Sequence, residues 1–161
     1  MAERSLTVTW QDPRGLAARA SEGSGLEFLR AIISGELPKA PIQELVGFEL
    51  EEADEGRVVF SIEPGEQHYN PIGSVHGGVA ATLLDSAMGA AVHSTLPEGA
   101  GYATLEVKFN LVRPITAETG RVLAEGKVIH RGKSVATVEA SLRSAEGGKL
   151  LAHGTSTCLI R

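Results

Sequence analysis

The sequence predicts an α+β domain in which one long central helix is wrapped by a curved antiparallel sheet of five to six strands. Three observations lead there. First, the stretch from Asn70 to Leu96 carries one formally charged side chain, Asp85, among small and apolar residues, and it is long enough for a central helix. Second, a hairpin pattern precedes this stretch and four strand patterns follow it. Third, a helix that is apolar nearly all round has to be covered, and a curved sheet covers it most simply.

Taking the chain in order, residues 1–40 read as an N-terminal extension. They mix Gly, Pro, Ser and charges, with a short helix expected over Pro13–Ala20. Leu26, Leu29, Ile32 and Ile33 then recur at helical spacing, so a short amphipathic helix is predicted between Gly25 and Leu37, ended by Pro38 and Pro41. The remaining domain, 41–161, is expected to open with one turn of helix at Pro41. From Gly47 the period becomes two. Phe48 and Leu50 alternate with Glu49 and Glu51, Asp54-Glu55-Gly56 turns the chain, and Val58, Phe60 and Ile62 form the returning arm. Residues 68–75 are loop. The central helix is expected from about Gly77 to about Thr95 and is stopped by Pro97-Glu98-Gly99. Residues 103–111 give the cleanest alternation in the chain. Three more strands follow, over about 120–130, 136–143 and 150–160, with Arg131-Gly132-Lys133 and Glu146-Gly147-Gly148 as turns.

Composition narrows the function. A chain of 161 residues with 42% hydrophobic and 22% charged residues suits one folded domain. The net charge of −5 argues against broad nucleic-acid binding, though it leaves room for a local basic site. Cys158 is the only cysteine, which excludes an internal disulfide and favours a reducing cytoplasm. No apolar run follows Glu3 and Arg4, so the start does not read as a signal peptide. Residues 77–96 have the length of a membrane span, but their Gly, Ala, Ser, Thr and Asp85 predict a buried helix instead. Neither a nucleic-acid nor a membrane partner is expected. No HxxxH, cysteine pair or acid–histidine cluster has the spacing of a metal site.

Two features of the central stretch carry chemistry. A helix starting at His76-Gly77-Gly78 leaves its first N–H groups unpaired at the positive end of the dipole, where a developing negative charge is stabilised. Two turns on, Asp85 is expected to be buried, at a cost of several kcal/mol unless it is paired, hydrogen-bonded or protonated. Read alone, Asp85 also fits a structural acid bonded to Ser86, and the Arg131–Lys133 turn also fits a solvated hairpin tip.

The pattern Asn70-Pro71, His76-Gly77-Gly78 and Asp85, with four strands after it, resembles the hotdog-fold acyl-CoA thioesterases, most of all their phenylacetate-degradation-related (PaaI-like) branch. The likeness covers about residues 41–161. It implies that the Gly77 N–H is the oxyanion hole for the thioester carbonyl. It further implies that Asp85 acts as general base or nucleophile, that Asn70 positions the thioester or the water, and that His76 supports the loop. Thr104 falls where this branch carries a small hydroxyl near the acid. By strand parity, however, its side chain faces away from the helix unless a bulge intervenes. Arg113 and the turn Arg131-Gly132-Lys133-Ser134 are the positions expected to hold the phosphates of CoA, and Gly78 is expected to bind substrate by letting the backbone approach it closely. No cofactor is implied, because CoA is part of the substrate.

Two other readings compete. A hotdog dehydratase or hydratase would need an Asp-x-Asn-Pro-x-His loop, and the equivalent run His68-Tyr69-Asn70-Pro71-Ile72-Gly73 lacks both the Asp and the His. A non-catalytic acyl-CoA-binding protein would gain nothing from a buried acid. Distance adds one more expectation. Gly77 and Asp85 are eight residues apart, about 12 Å along a helix, so one helix cannot present both to one carbonyl. A homodimer with shared sites is therefore expected, and the resemblance implies that it is doubled to a tetramer.

Overall fold

The computed structural model describes residues 2–161. Its N-terminal region holds two short helices, α1 (Pro13–Arg19) and α2 (Gly25–Ile33). α2 begins in a capping box: Ser24 accepts the Glu27 N–H, and Glu27 reaches back to the Ser24 N–H. Its apolar face is inserted into the core through Leu29, with Leu26, Phe28 and Ile32 beside it. The single turn α3 (Pro41–Val46) leads into the hairpin of β1 (Phe48–Asp54) and β2 (Arg57–Ile62).

After a loop comes the long helix α4 (Gly77–His93), then β3 (Tyr102–Leu111), β4 (Val122–Arg131), β5 (Val135–Ser144) and β6 (Leu150–Ile160). All six strands join one antiparallel sheet in the order β1-β2-β4-β5-β6-β3. α4 carries the chain from the β2 side to the far edge, where β3 lies. This is the predicted helix in a curved sheet, and it is the hotdog architecture.

Leu83, Leu84, Met88 and Val92 of α4 are buried against alternate strand residues such as Val58, Phe60, Val138 and Leu142. Each large apolar side chain removed from water contributes about 1.5–3 kcal/mol. The sheet approaches the helix so closely that a Cβ on Gly126 would overlap the Ala87 carbonyl. No side chain larger than hydrogen fits at that position.

Two expectations need correction. The helix is not wrapped all round, and Asp85 is exposed in the single chain. At about 100° per residue, the large apolar side chains of α4 fall on one side, and Gly78, Thr82, Asp85 and Ser86 on the other. A sheet needs to cover only the first side, and this one does. The alternation of β3 is likewise not a simple in-and-out pattern. β3 is an edge strand with a bulge: Thr104 lies opposite Cys158 and Glu106 opposite Thr157, leaving Leu105 as the extra residue, 58% exposed.

Candidate active site

The loop before α4 is built to hold the helix start in place. Asn70 accepts the N–H groups of Ile72 (3.0 Å) and Ser74 (3.3 Å) at its Oδ1 and donates from Nδ2 to the Ser74 hydroxyl (3.0 Å). Its carboxamide is thus committed to the turn Asn70–Ser74, with one amide proton left over. Val75 N–H donates to the Ile115 carbonyl (2.8 Å), and His76 N–H to the His68 carbonyl (2.8 Å). His68 is itself locked between the Gly65 N–H and the Val46 carbonyl.

His76 is the N-cap of α4. Its Nδ1 accepts the Gly78 N–H at 2.9 Å, and its carbonyl accepts the Val79 N–H at 2.9 Å. The Gly78 donor is therefore already engaged. The Gly77 N–H, by contrast, donates to no group among the described residues. It borders a cavity of about 260 Å³ lined by Asn70, Ser74, Val75, Leu111, Arg113 and Ile115 among others. Gly77 itself lies against Leu111, whose Cδ1 would be 2.8 Å from a Cβ there. Arg113 at this end donates to the Leu150 carbonyl (2.6 Å).

A second group of side chains gathers around Asp85. The Thr104 hydroxyl donates to Asp85 Oδ1 at 3.1 Å. The β3 bulge makes this contact possible, because it turns Thr104 inward against the parity of its strand. Tyr102 lies on the same face, with its hydroxyl against Gly89 of α4. Burial, and secondarily the Asp85 charge, pushes the pKa of Tyr102 up to about 12, so its hydroxyl remains a proton donor at neutral pH. Behind Thr104 lies Cys158, wholly buried. Burial pushes its thiol up, and hydrogen bonds with Ser156 and Thr104 offset part of that shift.

One chain thus brings together Gly77, Asn70, His76, Gly78 and Arg113 at the start of α4. It brings together Asp85 and Thr104 two turns further on. The turn Arg131-Gly132-Lys133-Ser134 belongs to the Thr104 end: Arg131 pairs with Ala136, which pairs with Cys158, which pairs with Thr104. The turn is closed by Gly132 N–H to the Val135 carbonyl (2.8 Å), and the Ser134 carbonyl accepts the Ile160 N–H (2.9 Å). Arg113 and this turn do not meet within the chain. Sequence reasoning missed Tyr102 and Cys158 as neighbours of the acid, and Ser156 next to Cys158. Tyr102 had a detectable signal, being two residues before Thr104 on one face. The other two depend on the ladder register.

Comparisons with known proteins bear on the family and the fold. The family model described as the thioesterase superfamily matches residues 72–151. A Halobacterium salinarum protein, provisionally named an esterase, is 32% identical over 117 residues, covering 70% of this chain and 76% of that protein. Human acyl-coenzyme A thioesterase 13 is 29% identical over 131 residues, covering 80% of this chain and 91% of its own length. Among solved structures, a phenylacetic acid degradation-related protein from Ralstonia eutropha superposes with a TM-score of 0.72 at 28% identity, covering 81% of this chain and 98% of that one.

Proposed function

This chain belongs to the thioesterase superfamily and is a thioester hydrolase, and we propose that it cleaves acyl-CoA to free acid and CoA at a site shared by two antiparallel copies. The observation that carries this reading is the separation of the two half-sites. The free Gly77 N–H and Asp85, which Thr104 contacts from β3, lie eight residues apart on one helix, about 12 Å, while both must reach one carbonyl. A two-fold axis beside β3 brings the start of one α4 alongside the second turn of the other. β3 suits that role, being an edge strand with Leu105, Phe109 and Leu111 exposed.

In the composite site the Gly77 N–H of one copy stabilises the oxyanion. A fixed donor of this kind is worth about 2.7–4 kcal/mol. Asp85 of the other copy, oriented by the Thr104 hydroxyl, either takes a proton from the attacking water or attacks the carbonyl itself. The carbon–sulfur bond then breaks and CoA leaves as the thiolate; in the second route water then cleaves the acyl–aspartyl anhydride, releasing the acid and restoring the carboxylate. His76 keeps the Gly77 donor free by engaging Gly78, and Asn70 shapes the loop beside it. The same symmetry brings Arg113 of one copy towards the turn Arg131-Gly132-Lys133-Ser134 of the other, giving a local basic rim for CoA phosphates. The cavity of about 260 Å³ beside Gly77 suits an aryl, arylacetyl or short to medium acyl group. The remaining parts of the proposal are a tetramer built from two such dimers, no resident cofactor, a cytoplasmic setting, and residues 1–40 as an extension to the domain 41–161. No helix among the described residues is long and apolar enough to cross a membrane.

The test is complementation. Gly77→Pro and Asp85→Ala chains, each inactive alone, are mixed under conditions that exchange subunits. A mixed dimer holds one intact and one doubly damaged site, so thiol release from acyl-CoA should partly return. Mixed dimers that form and stay dead would rule out the shared site.

A further inference from the structure

The contact between Thr104 and Asp85 exists only because β3 carries an extra residue at Leu105, and something must hold that bulge in one conformation. In an antiparallel ladder a bulge displaces a backbone group from its partner. Here the extra residue is Leu105, and the carbonyl of Glu106 beside it accepts the Ser156 hydroxyl from across the strand at 2.8 Å. Ser156 is only 2% exposed, so water cannot easily take its place. The same hydroxyl lies 3.9 Å from the Cys158 sulfur, and Cys158 lies opposite Thr104 in the ladder. On the outer face, Thr157 donates to the Glu106 carboxylate at 2.8 Å. The bulge is therefore gripped from both sides, and Ser156 holds its backbone from within the core.

We propose that Ser156 is a positioning residue for the hydrolysis: its buried hydroxyl fixes the β3 bulge that turns Thr104 onto the Asp85 carboxylate. Ser156 touches neither Asp85 nor the cavity beside Gly77. It acts through the Glu106 carbonyl on the orientation of Thr104, and through Thr104 on the carboxylate. Without the hydroxyl the Glu106 carbonyl loses this buried bond, and a slide of the bulge rotates Thr104 towards the parity of Glu106 and Lys108. This inference rests on the catalytic role proposed for Asp85 and Thr104.

Steady-state hydrolysis of phenylacetyl-CoA and hexanoyl-CoA by the full chain tests it, using whichever is cleaved faster. Ser156→Ala should lower kcat about tenfold or more and leave KM within about twofold, since misplacing a reacting group slows turnover without weakening substrate binding. Ser156→Thr, which keeps the donor, should recover most of the lost kcat. Adding Ser156→Ala to Thr104→Val should slow the enzyme no further than Thr104→Val alone. If Ser156→Ala does not fold, Ser156→Cys, of similar size and a weaker donor, carries the same comparison. A folded Ser156 variant with wild-type kcat overturns the inference, as do losses that multiply in the double variant. If Thr104→Val itself keeps full kcat, the proposed role of the Asp85–Thr104 pair fails and takes this inference with it. If Thr104→Val is slow while Ser156→Ala is fast, only the inference fails.

Discussion

Thr104 and Glu106 are two residues apart, yet they face opposite sides of the sheet. One donates to the acid on the helix, and the other bonds Thr157 on the outer face. That inversion decides what Asp85 can do. An exposed carboxylate with one oxygen held by a hydroxyl has its second oxygen free for water or for the thioester carbon. Asp85→Asn keeps the shape and the Thr104 contact but removes the basic oxygen. It should lower kcat by about 10²–10⁴-fold while the thermal midpoint stays close to that of the parent. Near-parental turnover by the purified variant would show that the acid is not the working group. The residue types at this site were legible in the sequence: the only acid in the stretch, the His-Gly-Gly helix start and Asn70. The orientation of Thr104 was not. An extra residue in a strand leaves no mark in an alternation of apolar and polar side chains, and only the pairing with β6 reveals it.

At the scale of elements, α4 and β4 meet with no room to spare. Gly126 faces the Ala87 carbonyl so closely that any Cβ there must push helix and sheet apart. Gly126→Ala should destabilise the fold by about 1–3 kcal/mol, read as a lower urea midpoint, because the obstacle is backbone and cannot swing aside. If the midpoint does not move, the close approach is softer than the geometry implies. The helices and strands themselves were readable from period and punctuation, since Pro38, Gly47, Pro97 and the Gly-Gly of 147–148 fall where elements end. The open face of α4 was harder to see. Ala and Gly make the whole stretch look apolar, and the bulky residues that choose the buried side are a minority within it.

At the scale of the molecule, the N-terminal helices are tied to the end of α4 rather than trailing from it. Gly25 N–H donates to the Leu96 carbonyl (3.0 Å), and Gly99 N–H to the Ser21 carbonyl (3.2 Å). Between them the His93 ring stacks on Phe28 with centroids 5.4 Å apart and meets Tyr102 edge-on at 5.7 Å. Burial lowers the pKa of His93, and a hydrogen bond with the Ala20 backbone offsets part of the shift. The unfolded chain therefore binds the His93 proton more readily than the folded one. This share of stability is complete above the unfolded value of about 6.5 and is lost as pH falls from there through the folded value. The urea midpoint should accordingly drop between pH 8 and pH 5.5, and the drop should shrink in His93→Phe. An unchanged drop would assign it to other groups.

Burial of Cys158 makes the protein a quiet background for the chemistry it performs. The folded chain offers no accessible thiol, and its one thiol is held in the protonated, unreactive form. A disulfide dye added during turnover should therefore colour only with the CoA released. In denaturant the same dye should count one thiol per chain, so a single reagent reads product in the native enzyme and unfolding in the damaged one. Rapid labelling of the native chain, before any substrate is added, would show that the strand around Cys158 opens far more often than its packing allows.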